Sequence, residues 1–168
     1  MIGRSKRARR GFSLIELVVV VVIIGIIAAI AIPKMSKGAQ GAADSALTGD
    51  LALIRQAIDM YANEHGGSLP SSTNIAAQLT QYSNADGSKT AAAKDTTAAN
   101  QIVYGPYLRA IPPLPVNSSI VATPPLKGQA TIGPSTSTPA WVYDSTLGTV
   151  TANTGTQTDS AGNPYSNY

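Results

Sequence analysis

The chain has 168 residues, no cysteine, and twelve Lys and Arg against nine Asp and Glu, a formal charge of +3. Without cysteine it can close no disulfide loop and offers no residue for lipoprotein acylation. Five of the twelve cations lie in the first eleven residues, and the seven left against nine carboxylates give −2, so the basic balance is a local signal and makes no case for a nucleic-acid partner.

Those five cations, Arg4, Lys6, Arg7, Arg9 and Arg10, precede an apolar run of 21 residues from Phe12 to Ile32. At about 1.5 Å per residue, a helix of that length crosses the roughly 30 Å hydrocarbon core of a bilayer. Only Lys34 and Lys37 closely follow the run, so the positive-inside rule predicts a single pass with a cytoplasmic amino terminus and an exported remainder. The run holds one carboxylate, Glu16. A carboxylate in a membrane span costs about 2.5–3.5 kcal/mol at the centre and less near the interface, and is normally retained for a partner. Cutting after Gly11 frees the α-amine of Phe12, four residues from Glu16, and an unperturbed α-amine titrates at about 7.7–8.0 and so carries positive charge near neutrality. In a stack of copies, the amine of one can neutralise Glu16 of the next, which makes assembly register-specific because an unpaired buried charge is heavily penalised.

Gly11-Phe12-Ser13-Leu14-Ile15-Glu16-Leu17 resembles the processing site of type IV pilins and of type II secretion pseudopilins. Gly25 and Pro33 fall where that family places a helix-loosening glycine and proline. The resemblance implies a bacterial prepilin peptidase that cleaves between Gly11 and Phe12 and N-methylates Phe12, with Phe12 and Glu16 as assembly residues. An eleven-residue leader, longer than many pseudopilin leaders, and an uninterrupted Val18–Val22 run are the departures from the family pattern. Three other readings exist. Arg9-Arg10-x-Phe12 matches part of a twin-arginine signal, Ala29-x-Ala31 a signal-peptidase site, and a plain anchor would leave Glu16 snorkelling. The first two leave the glutamate at the start of the apolar core unexplained, and Pro33 disfavours the second.

After Pro33 the pattern becomes that of a water-facing helix over residues 34–66. Leu47, Leu51, Ile54, Ile58 and Tyr61 form one apolar stripe, with Asp44, Asp50, Arg55, Asp59 and Glu64 on other faces. Gly66-Gly67 and Pro70 are stop signals. Residues 67–168 must cover the stripe. Their β-favouring runs at Ser119–Thr123, Gln129–Ile132, Ala140–Tyr143 and Gly148–Thr151 predict a small antiparallel sheet, with Trp141 and Tyr143 on the core face of a hairpin. Residues 84–100 are small and polar and predict a surface loop or a weak helix. The expected fold is therefore α+β and pilin-like: leader 1–11, membrane or fibre-core helix 12–33, amphipathic helix 34–66 and a β-rich head 67–168.

Gly105-Pro106-Tyr107-Leu108, Pro112-Pro113-Leu114-Pro115 and Trp141-x-Tyr143 with Gly148 resemble segments of major pseudopilins. Calcium is the cofactor that this resemblance brings with it, and Asp144, Asn153, Asp159 and Asn163 supply hard oxygen ligands, although no dense Asp-x-Asp spacing is present and Asx turns in a polar tail are the favoured account of them. No other cofactor is expected. His65 is the sole histidine, and no zinc set, phosphate loop or nucleophile–base pair accompanies it. The chain reads as a substrate of an enzyme and not as an enzyme. The expected function is a type II secretion pseudopilus subunit, with a surface pilus for adhesion, twitching or DNA uptake as the alternative and a released binding domain as the third reading. The expected partners are other copies of the chain, prepilin peptidase, an inner-membrane assembly platform and the cytoplasmic membrane.

Overall fold

The computed structural model describes residues 12–168. The proposed leader and Gly11 lie outside the described residues. Two compact units divide the chain after Ala39.

Helix α1 runs Leu14–Glu64. Its first part is aliphatic on every side, and its side chains from Leu14 to Ile27 are exposed in the isolated chain. That is the profile of a helix whose solvent is lipid or another apolar helix. Among the described residues this helix alone is long and apolar enough to cross a membrane. It carries through Gly25 and Pro33 without interruption, although in a helix interior glycine is about 1 kcal/mol and proline about 3 kcal/mol less favourable than alanine.

The second unit, from Gln40, is the head. Within it the predicted stripe is buried: Leu47, Leu51, Ile54, Ile58 and Tyr61, joined by Ala57, are at most 2% exposed. The helix stops on a Schellman motif. Gly66 and Gly67 take φ of 63° and 87°, and the Gly67 N–H donates to Ala62 O at 2.7 Å.

The head adds a short helix α2, Ile75–Thr80, which periodicity alone does not reveal because its six residues make less than two turns. Strands β1 (Tyr82–Ser83) and β2 (Thr90–Ala91) pair antiparallel, so part of residues 84–100 is the turn of a small hairpin and not a helix. Strands β3 (Ile132–Gly133), β4 (Trp141–Asp144) and β5 (Thr149–Ala152) form a second sheet in the order β3-β4-β5. The expected hairpin is β4–β5, antiparallel, with Trp141 opposite Ala152 and Asp144 opposite Thr149. Strand β3 joins β4 in parallel, so the sheet is mixed where only antiparallel pairing was expected. Residues 119–123 form no strand. There the hydroxyls of Ser118 and Ser119 donate to Asn153 O and Thr154 O, tying the segment down without a ladder.

Trp141 and Tyr143 lie on the core face, as the two-residue alternation predicts. Trp141 Nε1 donates to Pro112 O at 2.8 Å and Tyr143 OH to Pro70 O at 3.1 Å, so each buried polar tip is satisfied. His65 is buried and stacks on Tyr61 at 3.8 Å between ring centroids, with Nδ1 2.8 Å from Tyr61 O and Nε2 3.0 Å from Ser83 Oγ. Its role is structural. Truncating a stripe residue, as in Ile54→Ala, leaves a cavity between α1 and the sheet and is expected to destabilise the head by about 2–5 kcal/mol in denaturant unfolding followed by Trp141 fluorescence.

Candidate functional site: the start of α1, with a clasp on the head

Helix α1 begins at Leu14, which makes Ser13 its N-cap and Glu16 its third residue. The Ser13 N–H donates to Glu16 Oε2 at 2.8 Å. This is the return bond of a capping box, in which the third helical residue reaches back to the cap's own main-chain N–H. The signal is present in the sequence as Ser13-x-x-Glu16, but the charge of Glu16 is the more conspicuous feature. Phe12, Ile15, Glu16, Val19 and Val20 line one face of this first stretch. Phe12 is 80% exposed and Leu14 79%. The arrangement places the first residue after the expected cut and the one carboxylate of the span on a single apolar surface. It therefore fits a contact that matches charge and apolar face together.

Of the four oxygen-bearing residues named as calcium ligands, Asp159 and Asn163 are brought together. Asp144 and Asn153 sit at opposite ends of the β4–β5 hairpin. Asp144 Oδ1 accepts from the Thr146 and Leu147 N–H groups, and Asn153 Nδ2 donates to Pro139 O. Asp159 and Asn163 share one turn, where Asp159 Oδ1 accepts from Ala161 N–H and Asn163 N–H and Oδ2 accepts from Asn163 Nδ2. Among the described residues, no group of three or more His, Cys, Asp or Glu is placed to hold a metal ion. Asp144, Asp159 and Asn163 as placed serve local turns, and Asn153 is held by Pro139 O.

Asp159 belongs instead to a clasp that closes the last part of the chain onto α1. Its centre is Asp44, which the helical pattern places on a water-facing side and the structure buries. Tyr165 OH donates to Asp44 Oδ1, and the Ser160 N–H donates to Asp44 Oδ2 at 2.9 Å. Tyr168 OH donates to Asp159 Oδ2 at 2.7 Å, and Arg55 Nη2 donates to the main-chain oxygen of Tyr168 at 2.7 Å. No local pattern announces these partners, because Asp44 and Tyr165 are 121 residues apart. Burial works to raise the Asp44 carboxyl, but the hydrogen bonds from Tyr165 and Ser160 outweigh it and hold the group below its ordinary value. The Asn163 and Tyr168 hydrogen bonds hold Asp159 down to about 2. Burial and the bond to Asp44 push the Tyr165 hydroxyl up.

Comparison with known families meets the chain at the start of α1. Residues 6–32 match the prokaryotic N-terminal methylation motif. Over those residues the chain is type IV pilin-like. No curated protein and no solved structure matches it. A pilin-like chain with this motif is a substrate of prepilin peptidase and a polymer-forming subunit, and the apolar start of α1 is consistent with membrane anchoring and a pilus-like fibre. The pilin-like family is structural. Its motif ends at Ile32, so the head of this pilin-like subunit rests on the fold alone.

The clasp sets an acid limit for that head. Both carboxyls are depressed below the ~3.9 of an unfolded aspartate, so the stability they contribute is complete above pH about 4 and is lost as the pH falls towards about 2. Thermal unfolding midpoints of the detergent-solubilised chain are expected to fall across that window, and Asp159→Asn to flatten the fall.

Proposed function

We propose that this chain is a structural subunit of a type II secretion pseudopilus. The observation that carries the reading is the methylation motif at residues 6–32, with Glu16 the one carboxylate of the apolar run. Prepilin peptidase cuts between Gly11 and Phe12 and methylates the new amine. The subunit waits in the cytoplasmic membrane with its amino terminus inside and its head outside. An inner-membrane platform then extracts it, and Glu16 sets the register by pairing with the Phe12 amine of a neighbour. Gly25 and Pro33 ease the local helix adjustments that packing requires. The subunit itself performs no catalysis.

Helix-to-helix packing is supported beyond the membrane span by the outward face of α1. Ala42, Ala46, Gly49, Leu53 and Met60 recur there without a charge, and Leu53 is 46% exposed. A face turned to bulk water normally carries charge. Head-to-tail contacts of this kind generate an open filament and not a closed ring. The secretion branch is favoured by the absence of cysteine, which rules out a disulfide-closed adhesive loop, and by the Gly105–Leu108, Pro112–Pro115 and Trp141-x-Tyr143 segments.

Two variants test the processing and pairing steps. Gly11→Ala is expected to leave the leader attached, so that intact mass retains the first eleven residues; a native chain whose mature mass does not begin at an N-methylated Phe12 would refute the assigned cut. Glu16→Ala is expected to be processed normally while the yield of sheared or envelope fibres drops at least tenfold. Processed subunit recovered only from the envelope supports the secretion pseudopilus, whereas abundant subunit in long fibres sheared from intact cells assigns it to a surface pilus.

A further inference from the structure

We propose that Lys37–Gly41 is a joint in α1, placed immediately before the clasp at Asp44, through which the head reorients while the apolar segment stays in its own solvent. The use in extraction rests on the pilin-like reading; the joint itself rests on the observations that follow.

Glycine inside a helix is disfavoured, and it persists where something needs the missing side chain or the missing stiffness. Here Gly38 and Gly41 lie three residues apart in the middle of a 51-residue helix. A Cβ at either position would meet nothing within 4 Å, so no packing among the described residues demands glycine there. Lys37, Gly38 and Ala39 are exposed, and Gln40, exposed as well, reaches only the Tyr165 hydroxyl of the clasp, so little tertiary contact offsets the weak propensity. The next turn loosens the ladder further, because Ser45 Oγ donates to Gly41 O at 3.0 Å and draws on a carbonyl that the helix also uses.

On the head side the helix is fixed abruptly. Asp44 is held by Tyr165 and Ser160, and Leu47 is fully buried three residues later. The boundary between the two compact units falls after Ala39, inside the proposed joint. A segment with little side-chain support that abuts a firmly held residue is where a bending motion concentrates, since hinges are the few positions able to absorb a change in φ and ψ. The joint is separate from Gly25 and Pro33, which lie within or at the end of the apolar run.

The test uses spin labels on the full chain in lipid nanodiscs, where the lack of native cysteine makes label positions unambiguous. Labels at Ile30→Cys and Ala52→Cys span the joint; labels at Ala42→Cys and Asn63→Cys lie wholly on the head side. An unbroken helix gives about 33 Å and 32 Å between the two pairs of labelled backbones. The proposal expects the joint-spanning pair to give a distance distribution at least twice as broad as the head-side pair, and the double change Gly38→Ala with Gly41→Ala to narrow it to the head-side width. Both alanines favour helix, so the variant keeps its fold. Equal widths in the native sequence, or a broad distribution that alanine leaves unchanged, would overturn the joint. The same variant is then assayed in cells: a loss of fibre yield of at least fivefold with normal Phe12 processing supports the use in extraction, and an unchanged yield overturns that use. A yield loss in a chain whose joint-spanning pair was already narrow would assign the glycines to contact between copies and overturn the joint. Because the distances are read without fibres, a wrong assignment to the pilin-like system would leave the first result standing.

Discussion

From Leu47 to Tyr61, α1 presents an apolar stripe that water must not reach, and the head is arranged around removing it. The stripe residues pack in one cluster with Ile75 and Leu79 of α2, Leu108, Leu114, and Trp141 and Val150 of the sheet. At about 25 cal/mol per Å² of apolar surface, this burial is the dominant favourable term available to the head. Short strands suffice because the sheet need only cover one side of one helix. The loops that fill the remaining gaps hold their places through side-chain hydrogen bonds to main-chain oxygens, as at Ser118, Ser119 and Trp141.

The same helix faces a different solvent before Ala39. There apolar residues point in every direction, and nothing among the described residues covers them. Such a surface is stable in lipid or against copies of itself, and the two environments are nearly interchangeable for an aliphatic side chain. A single carboxylate among those side chains distinguishes them. In the isolated chain Glu16 is satisfied by the Ser13 N–H. Under the proposed pairing, a neighbour's free amine offers a charged partner in its place, and storage in the membrane and packing in a fibre become alternatives for one acceptor.

The head is secured at its far end by ionised acceptors. Asp44 and Asp159 accept hydrogen bonds from Tyr165, Ser160, Asn163 and Tyr168. Hydrogen bonds to a charged group are about twice as strong as neutral ones, and removing the charge weakens several at once. These residues do for the end of the chain what a disulfide does in many small domains. In a chain without cysteine, they tie the last segment to the first helix by chemistry that is reversible with pH.

The amino-acid sequence by itself determined what local rules govern: the apolar run, its one carboxylate, the stripe at Leu47, Leu51, Ile54, Ile58 and Tyr61, the stop at Gly66-Gly67 and the β4–β5 hairpin with Trp141 inward. Each is written in neighbouring residues, through helical or strand periodicity or through the φ that glycine permits. The methylation motif is local in the same sense, and it was legible for that reason. The tertiary structure decided the rest. Strand β3 pairs in parallel, residues 84–100 turn through a small hairpin, Asp144 and Asn153 fall at opposite ends of the β4–β5 hairpin, and Asp44 and Arg55 find partners more than a hundred residues away. Those outcomes depend on which distant groups the covered stripe brings together, and no short stretch of sequence encodes that.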